Sequence, residues 1–309
     1  MKRRNAMATE SGRKILAGTD FSPAADEAVR QAHERADATG AELIVCHVIP
    51  NELRSNPLFP QRTQTDLERI EAIHRRVVDL VIDRVSSLTG RGTDRFSVLV
   101  DDGSPGAVIV NTAEGVSAYL IVVGHVGDNG RSGPQLGSVA RRIARHAHCP
   151  VLVARPHRGT RAVVVGTDFS DPSLPAVAAA AEEARRIGGR LTVVHSIEPV
   201  TAPMVSPEIE FLYPPVTIPQ RRKELRAAAE ERLAVAFRQL GLEGERRVED
   251  GPAAAALVRI AGELNADLLV AGTQGRTGLT RALLGSVAEE VIEAAPCAVL
   301  VVRLHRGVV

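Results

Sequence analysis

With 309 residues, 44% of them hydrophobic and 24% charged, the chain has length enough for about two domains with sizeable cores. A net charge of +1 and an aromatic content of 3% exclude a general nucleic-acid binder, which needs a basic surface and rings for bases to stack on. No apolar run approaches the ~20 residues of a membrane span, so neither nucleic acid nor membrane is an expected partner.

Residues 1–13, MKRRNAMATESGR, are basic but lack the apolar stretch of a secretory signal, and read as a mobile tail on a cytoplasmic protein. Lys14 to Thr19 reads as a buried strand ending at Asp20. Ser22 and Pro23 then form a helix start, with a period of Ala25, Ala28, Val29, Ala32 and Ala36 that runs to Gly40. Leu43 to Ile49 is a second strand, stopped by Pro50, and the proline-containing stretch 50–60 is a loop. Leu67 to Leu88 has the apolar spacing of a long amphipathic helix. Phe96–Val100 gives a third strand, Ala107–Val116 a helix and Tyr119–Val123 a fourth strand. After a glycine-rich loop come a helix over Val139–Ala147 and a fifth strand over Cys149–Val153. Strands alternating with helices in this way imply βαβ units and a parallel sheet covered on both faces. The same pattern repeats from Arg161 to Arg303. The three cysteines, Cys46, Cys149 and Cys297, sit in or beside apolar strands and read as buried thiols of a reducing compartment.

The repeat is in register at single residues. Gly124, Gly127, Gly137 and Ser138 recur 148 residues later as Gly272, Gly275, Gly285 and Ser286. Thr19-Asp20-Phe21-Ser22 recurs as Thr167-Asp168-Phe169-Ser170, His47 as His195 and Cys149 as Cys297. Each glycine set, G-x2-G-x9-G-S, lies between an apolar strand and a helix start. Glycines there let backbone approach an anion, and the amide groups of loop and helix terminus point at it. The pattern is neither a Walker loop nor the dinucleotide G-x-G-x-x-G. Simpler readings exist for the same residues. Gly124 and Gly272 suit strand-to-loop turns, Asp20 and Asp168 suit helix caps, and His47 and His195 suit satisfied core histidines. His146 and His148 beside Cys149 have metal-ligand spacing, yet the repeat carries Ala294 and Pro296 there, which favours a helix C-terminus over a metal.

The two G-x2-G-x9-G-S copies, the early aspartates and the apolar strands together resemble the universal stress protein family, in its tandem ATP-binding branch, over nearly the whole chain. The resemblance implies two tandem five-stranded parallel-sheet domains of the Rossmann-like, adenine-nucleotide alpha-hydrolase-like type, over residues 14–156 and 160–305, forming a pseudo-dimer. It implies ATP with Mg2+ as ligand. Asp20 and Val48 in the first domain and Asp168 and Ser196 in the second would contact adenosine, and the glycine loops and their serines would hold phosphates. Arg276, directly after Gly275, adds a guanidinium to the second loop, whereas Asp128 follows Gly127 in the first. The final apolar strands, 150–155 and 298–303, are expected to pair with each other within the chain, since bare apolar edges invite association. A homodimer and regulatory protein partners are further expectations. No catalytic base is evident, so a nucleotide-dependent regulatory protein leads. A slow ATPase or nucleotidyl-transferring enzyme of the same class, and an interaction protein without nucleotide, are the alternatives.

Overall fold

The structure is a computed structural model of the chain that describes residues 12–50, 64–92, 94–126, 136–198, 218–273 and 284–303. The chain divides into two compact units, one built on residues up to Pro156 and one from His157 to Leu304.

In the first unit the order is β1 (Lys14–Thr19), α1 (Pro23–Thr39), β2 (Glu42–Pro50), α2 (Gln64–Thr89), β3 (Phe96–Gly103), α3 (Pro105–Gly115), β4 (Leu120–Gly124), α4 (Ser138–His146) and β5 (Val151–Ala154). Its strands run in the order β3-β2-β1-β4-β5 and pair in parallel. The second unit has β6 (Ala162–Gly166), a 3-10 turn at Asp171–Ser173, α5 (Leu174–Arg186), β7 (Arg190–Ile197), α6 (Ile218–Leu240), β8 (Glu245–Asp250), α7 (Ala253–Glu263), β9 (Leu268–Gly272), α8 (Ser286–Ala294) and β10 (Ala298–Val302). Its order is β8-β7-β6-β9-β10, again parallel.

Local chemistry accounts for the element ends. Ser22 caps α1 with its hydroxyl accepting from the Ala25 amide at 3.2 Å, Pro23 opens the helix, and Gly40 at φ 68° closes it in the left-handed region. The helix after β3 starts at Pro105 rather than the expected Ala107, because the proline's fixed φ suits a first turn. β3 itself extends to Gly103, beyond the expected Val100. It pairs with β2 on one side, and its alternate residues Ser97, Leu99 and Asp101 are exposed, so the carboxylates do not interrupt it. The loop expected over 50–60 lies almost wholly outside the described residues.

The core is aliphatic, as the scarcity of aromatics requires. Ile15, Leu16 and Ala17 of β1 and Val163, Val164 and Val165 of β6 are wholly buried, the signature of parallel strands covered on both faces. Two glycines let helices come close: a Cβ on Gly18 would stand 2.9 Å from the Ile109 side chain of α3, and one on Gly166 would stand 2.8 Å from Leu257 of α7. All three cysteines are buried and outside any disulfide. The Cys46 thiol is pushed up to about 11, chiefly by burial and then by the Asp101 carboxylate, against a lowering bond with Thr112.

Candidate functional site

In each sheet the strand order reverses at one point, between β1 and β4 and between β6 and β9. The chain leaves these neighbouring strands in opposite directions, which opens a crevice beyond their carboxyl ends. Asp20 and Asp168 stand at the ends of β1 and β6, and Gly124 and Gly272 close β4 and β9. Thr19 pairs with His47, so Val48 is one step farther along β2, level with Asp20.

The backbone after β1 and β6 is strained in the same way in both copies. Phe21 has φ 65° and Phe169 φ 62°, a left-handed conformation that side-chain-bearing residues rarely adopt. Short hydrogen-bonded turns hold it there. Thr19 Oγ1 accepts from the Phe21 amide at 3.2 Å, and Asp20 Oδ1 accepts from the Ser22 amide at 3.0 Å. Thr167 and Asp168 do the same for Phe169 at 3.1 Å and Ser170 at 3.0 Å, and the Ser170 hydroxyl also donates to Asp168 Oδ1 at 2.5 Å. The aspartates therefore organise the turn, while the cap of α1 itself is Ser22. Asp20 is nevertheless exposed and Asp168 half-buried at the crevice.

Behind each phenylalanine stands the strand-two histidine. The ring centroids of Phe21 and His47 are 4.9 Å apart, and those of Phe169 and His195 are 4.3 Å apart. His47 Nδ1 lies 2.9 Å from the Thr19 carbonyl and His195 Nδ1 2.8 Å from the Thr167 carbonyl. Nδ1 must carry a proton to donate there, so each histidine ties strand two to strand one. Burial pushes the His47 pKa below 6.5, partly offset by its bond to Thr19 and by the Asp20 charge. Val48 is buried, whereas Ser196 is half-buried and its hydroxyl donates to the Gly251 carbonyl at 2.6 Å.

The glycine loops are closed at their bases. The Gly137 amide donates to the His125 carbonyl at 2.7 Å, and the Gly285 amide to the Thr273 carbonyl at 3.0 Å. Each loop thus leaves its strand and returns beside it to start a helix. Gly137 and Gly285 are the N-caps of α4 and α8 and offer no side-chain cap, while Ser138 and Ser286 are exposed in the first turn. A helix start with no side chain on its first amides, at the switch point of a parallel sheet, is suited to an anion. Gly124 has a second reason to be glycine: a Cβ would come within 2.7 Å of the Ala24 backbone, so the end of β4 meets the start of α1. Gly127, Gly275 and Arg276 lie outside the described residues, as does Asp128.

Three features of the site went unread in the sequence. The left-handed phenylalanines stand in the repeated T-D-F-S stretch, and their recurrence was the available signal. His125 follows β4 at the base of its own glycine loop, its pKa lowered by burial and by Arg155 against a bond to the Ala154 backbone. Its equivalent in the second unit is Thr273. The third is a pair of equivalent contacts to a carboxylate: His74 Nε2 of α2 lies 3.1 Å from Asp102, and Arg222 of α6 donates to Asp250 at 3.0 Å. Each ties the long helix to the end of the outer strand. Among the described residues no group of three or more His, Cys, Asp or Glu could hold a metal ion, and His146 and His148 form no such group.

Comparison with known proteins places these features. The sequence model of the universal stress protein family matches twice, over residues 12–155 and 159–303. Universal stress protein Rv2623 of Mycobacterium tuberculosis is 31% identical over 304 residues, covering 94% of this chain and 96% of its own. A universal stress protein of Mycolicibacterium smegmatis is 31% identical over 303 residues, covering 96% and 98%. Among solved structures, a functionally unknown protein, PA1789, from Pseudomonas aeruginosa matches with a TM-score of 0.63 at 19% identity, covering 96% of this chain and 94% of its own. A universal stress protein from Archaeoglobus fulgidus matches with a TM-score of 0.61 at 20% identity, covering 94% and 96%. At these identities the structural matches speak to the fold.

Proposed function

The chain belongs to the universal stress protein family, and from that premise we propose that it binds ATP, with Mg2+, in each crevice and works as a nucleotide-dependent regulatory protein. The observation that carries the proposal is the closed base of each glycine loop. The Gly137–His125 and Gly285–Thr273 bonds deliver a helix start without a side-chain cap at the switch point, twice in one chain. Phosphates sit against the loop and helix amides, and the adenosine lies toward Asp20 and Val48, or Asp168 and Ser196. Nothing among the described residues supplies an evident nucleophile–base pair, so bound ATP acts by favouring one conformation that regulatory partners recognise. Mg2+ would neutralise phosphate charge where no metal-ligating cluster of the protein is needed.

The experiment is to release and identify nucleotide from the purified protein, then measure ATP affinity by calorimetry. Intact ATP after hours of incubation is the expected result, with affinity lost in the Gly275→Val/Gly285→Val variant for the second unit. Steady accumulation of ADP would make the protein an ATPase. Absence of any nucleotide affinity would leave an interaction protein.

A further inference from the structure

The two units hold an equivalent arginine of their long helix in different ways. Arg84 of α2 and Arg232 of α6 are 148 residues apart in the duplication. Arg84 grips the buried carboxylate of Asp26 on α1 with two nitrogens, its Nε donating to Oδ1 at 2.9 Å. The position equivalent to Asp26 is Leu174, at the start of α5. Arg232 therefore loses its carboxylate. Its neighbours one turn away on the helix, Ala228, Ala229, Val235 and Ala236, supply none, and no ion pair involving Arg232 forms among the described residues. Its guanidinium lies instead over the Phe169 ring, 5.6 Å from the centroid. That ring follows Asp168, carries the strained φ of 62° and packs on His195. Arg232 thus sits exposed at the carboxyl end of β6 with no carboxylate partner among the described residues, whereas the first unit's counterpart is bound to Asp26.

We propose that Arg232, at the adenosine end of the second crevice, is a specificity-determining residue whose long-range field gives this crevice a preference for the more highly charged nucleoside polyphosphates that the first crevice lacks. The proposal rests on the nucleotide-binding reading above. An uncompensated cation on the rim of a low-dielectric cleft attracts an anion in proportion to the anion's charge, and salt weakens that attraction. A guanidinium bound to a carboxylate does so far less. α8 carries Glu289 and Glu290 where α4 carries Arg141 and Arg142, and for that reason the informative comparison is made within one unit at a time.

The test uses the full chain with the first site disabled by Gly127→Val/Gly137→Val, and titrates ATP, ADP and AMP at two salt concentrations. Arg232→Gln is expected to weaken ATP about fivefold, and AMP by less than twofold, and to flatten the salt dependence for ATP. Arg232→Lys should restore most of the ATP preference. Leu174→Asp, which offers Arg232 the partner that Arg84 has, should reproduce the loss without removing the arginine. With the second site disabled, Asp26→Leu should strengthen ATP in the first unit, and thermal unfolding of each variant checks that it remains folded. Equal losses for ATP and AMP, or an unchanged ATP to AMP ratio in both Arg232→Gln and Leu174→Asp, would overturn the proposal while leaving nucleotide binding intact. No affinity for any nucleotide in the unmodified chain would overturn both.

Discussion

Single side chains in this protein do work that their surroundings define. Asp267 is an example: its carboxylate accepts from the backbone amides of Gly159 at 2.9 Å and Arg161 at 2.6 Å and also from that of Arg158, fixing the chain that leads into β6. The equivalent position in the first unit is Tyr119, so the clamp belongs to the second copy alone. Buried amides that lose a charged acceptor cost ~1.5–3 kcal/mol apiece at most, and water recovers part of that for a turn at the surface. Asp267→Ala is therefore expected to destabilise the second unit by about 3 kcal/mol in urea unfolding. His47 makes a different demand. Its pKa lies below 6.5 in the folded chain and near 6.5 in the unfolded one. Between those values the unfolded state binds more protons, so stability rises with pH across the window and is lost as pH falls below 6.5. His47→Asn retains an N–H for the Thr19 carbonyl and removes the titration. Unfolding midpoints of the variant should fall less between pH 7 and pH 5 than those of the parent chain, and an equal fall would assign the acid lability to other groups.

At the scale of elements, the two copies of one motif have settled into different helix starts. Ser22 caps α1 directly, with Pro23 in the first turn. The equivalent Ser170 turns its hydroxyl to Asp168, Asp171 replaces Pro23, and a 3-10 turn over Asp171–Ser173 intervenes before α5 begins at Leu174. Ser22→Ala should cost the first unit about 1 kcal/mol, the usual worth of an N-cap hydroxyl. Ser170→Ala should cost the second unit less in stability, while changing its nucleotide affinity by releasing Asp168. Chemical denaturation and calorimetry on the same two variants separate these effects. Much of this level was legible beforehand: apolar runs located the strands, and Ser22-Pro23 and Gly40 bounded α1 because capping chemistry is local. The glycine spacing marked the loops for the same reason. What was not legible depends on contacts between distant segments. The sequence Thr19-Asp20-Phe21-Ser22 does not reveal that Phe21 is left-handed, because the His47 ring it packs on reaches it only once β2 lies beside β1. Nor does Gly124 reveal that it must admit the start of α1.

At the scale of the whole chain, the duplication sets a question of equivalence: two crevices built on the same strand order need not bind alike. The loop sequences differ in charge, with Asp128 after Gly127 in the first copy and Arg276 after Gly275 in the second. A carboxylate close to a triphosphate opposes it, and a guanidinium can bond two of its oxygens. At an effective dielectric of about 20, unit charges ~8 Å apart interact by about 2 kcal/mol, and physiological salt screens this to about 0.8 kcal/mol. A single loop charge therefore changes affinity by about fourfold, and the opposite charges of the two loops together by more than tenfold. Titration of the full chain with ATP is expected to give two nucleotides per chain in two resolvable phases, the tighter one abolished by substituting Gly275 and Gly285. Asp128→Arg should bring the weaker phase toward the stronger, by a larger factor at low salt than at high salt, because the gain is electrostatic. Weakening on that substitution would mean that the Asp128 carboxylate recruits the metal that accompanies ATP, and the first crevice would then depend on Mg2+ where the second depends on arginine.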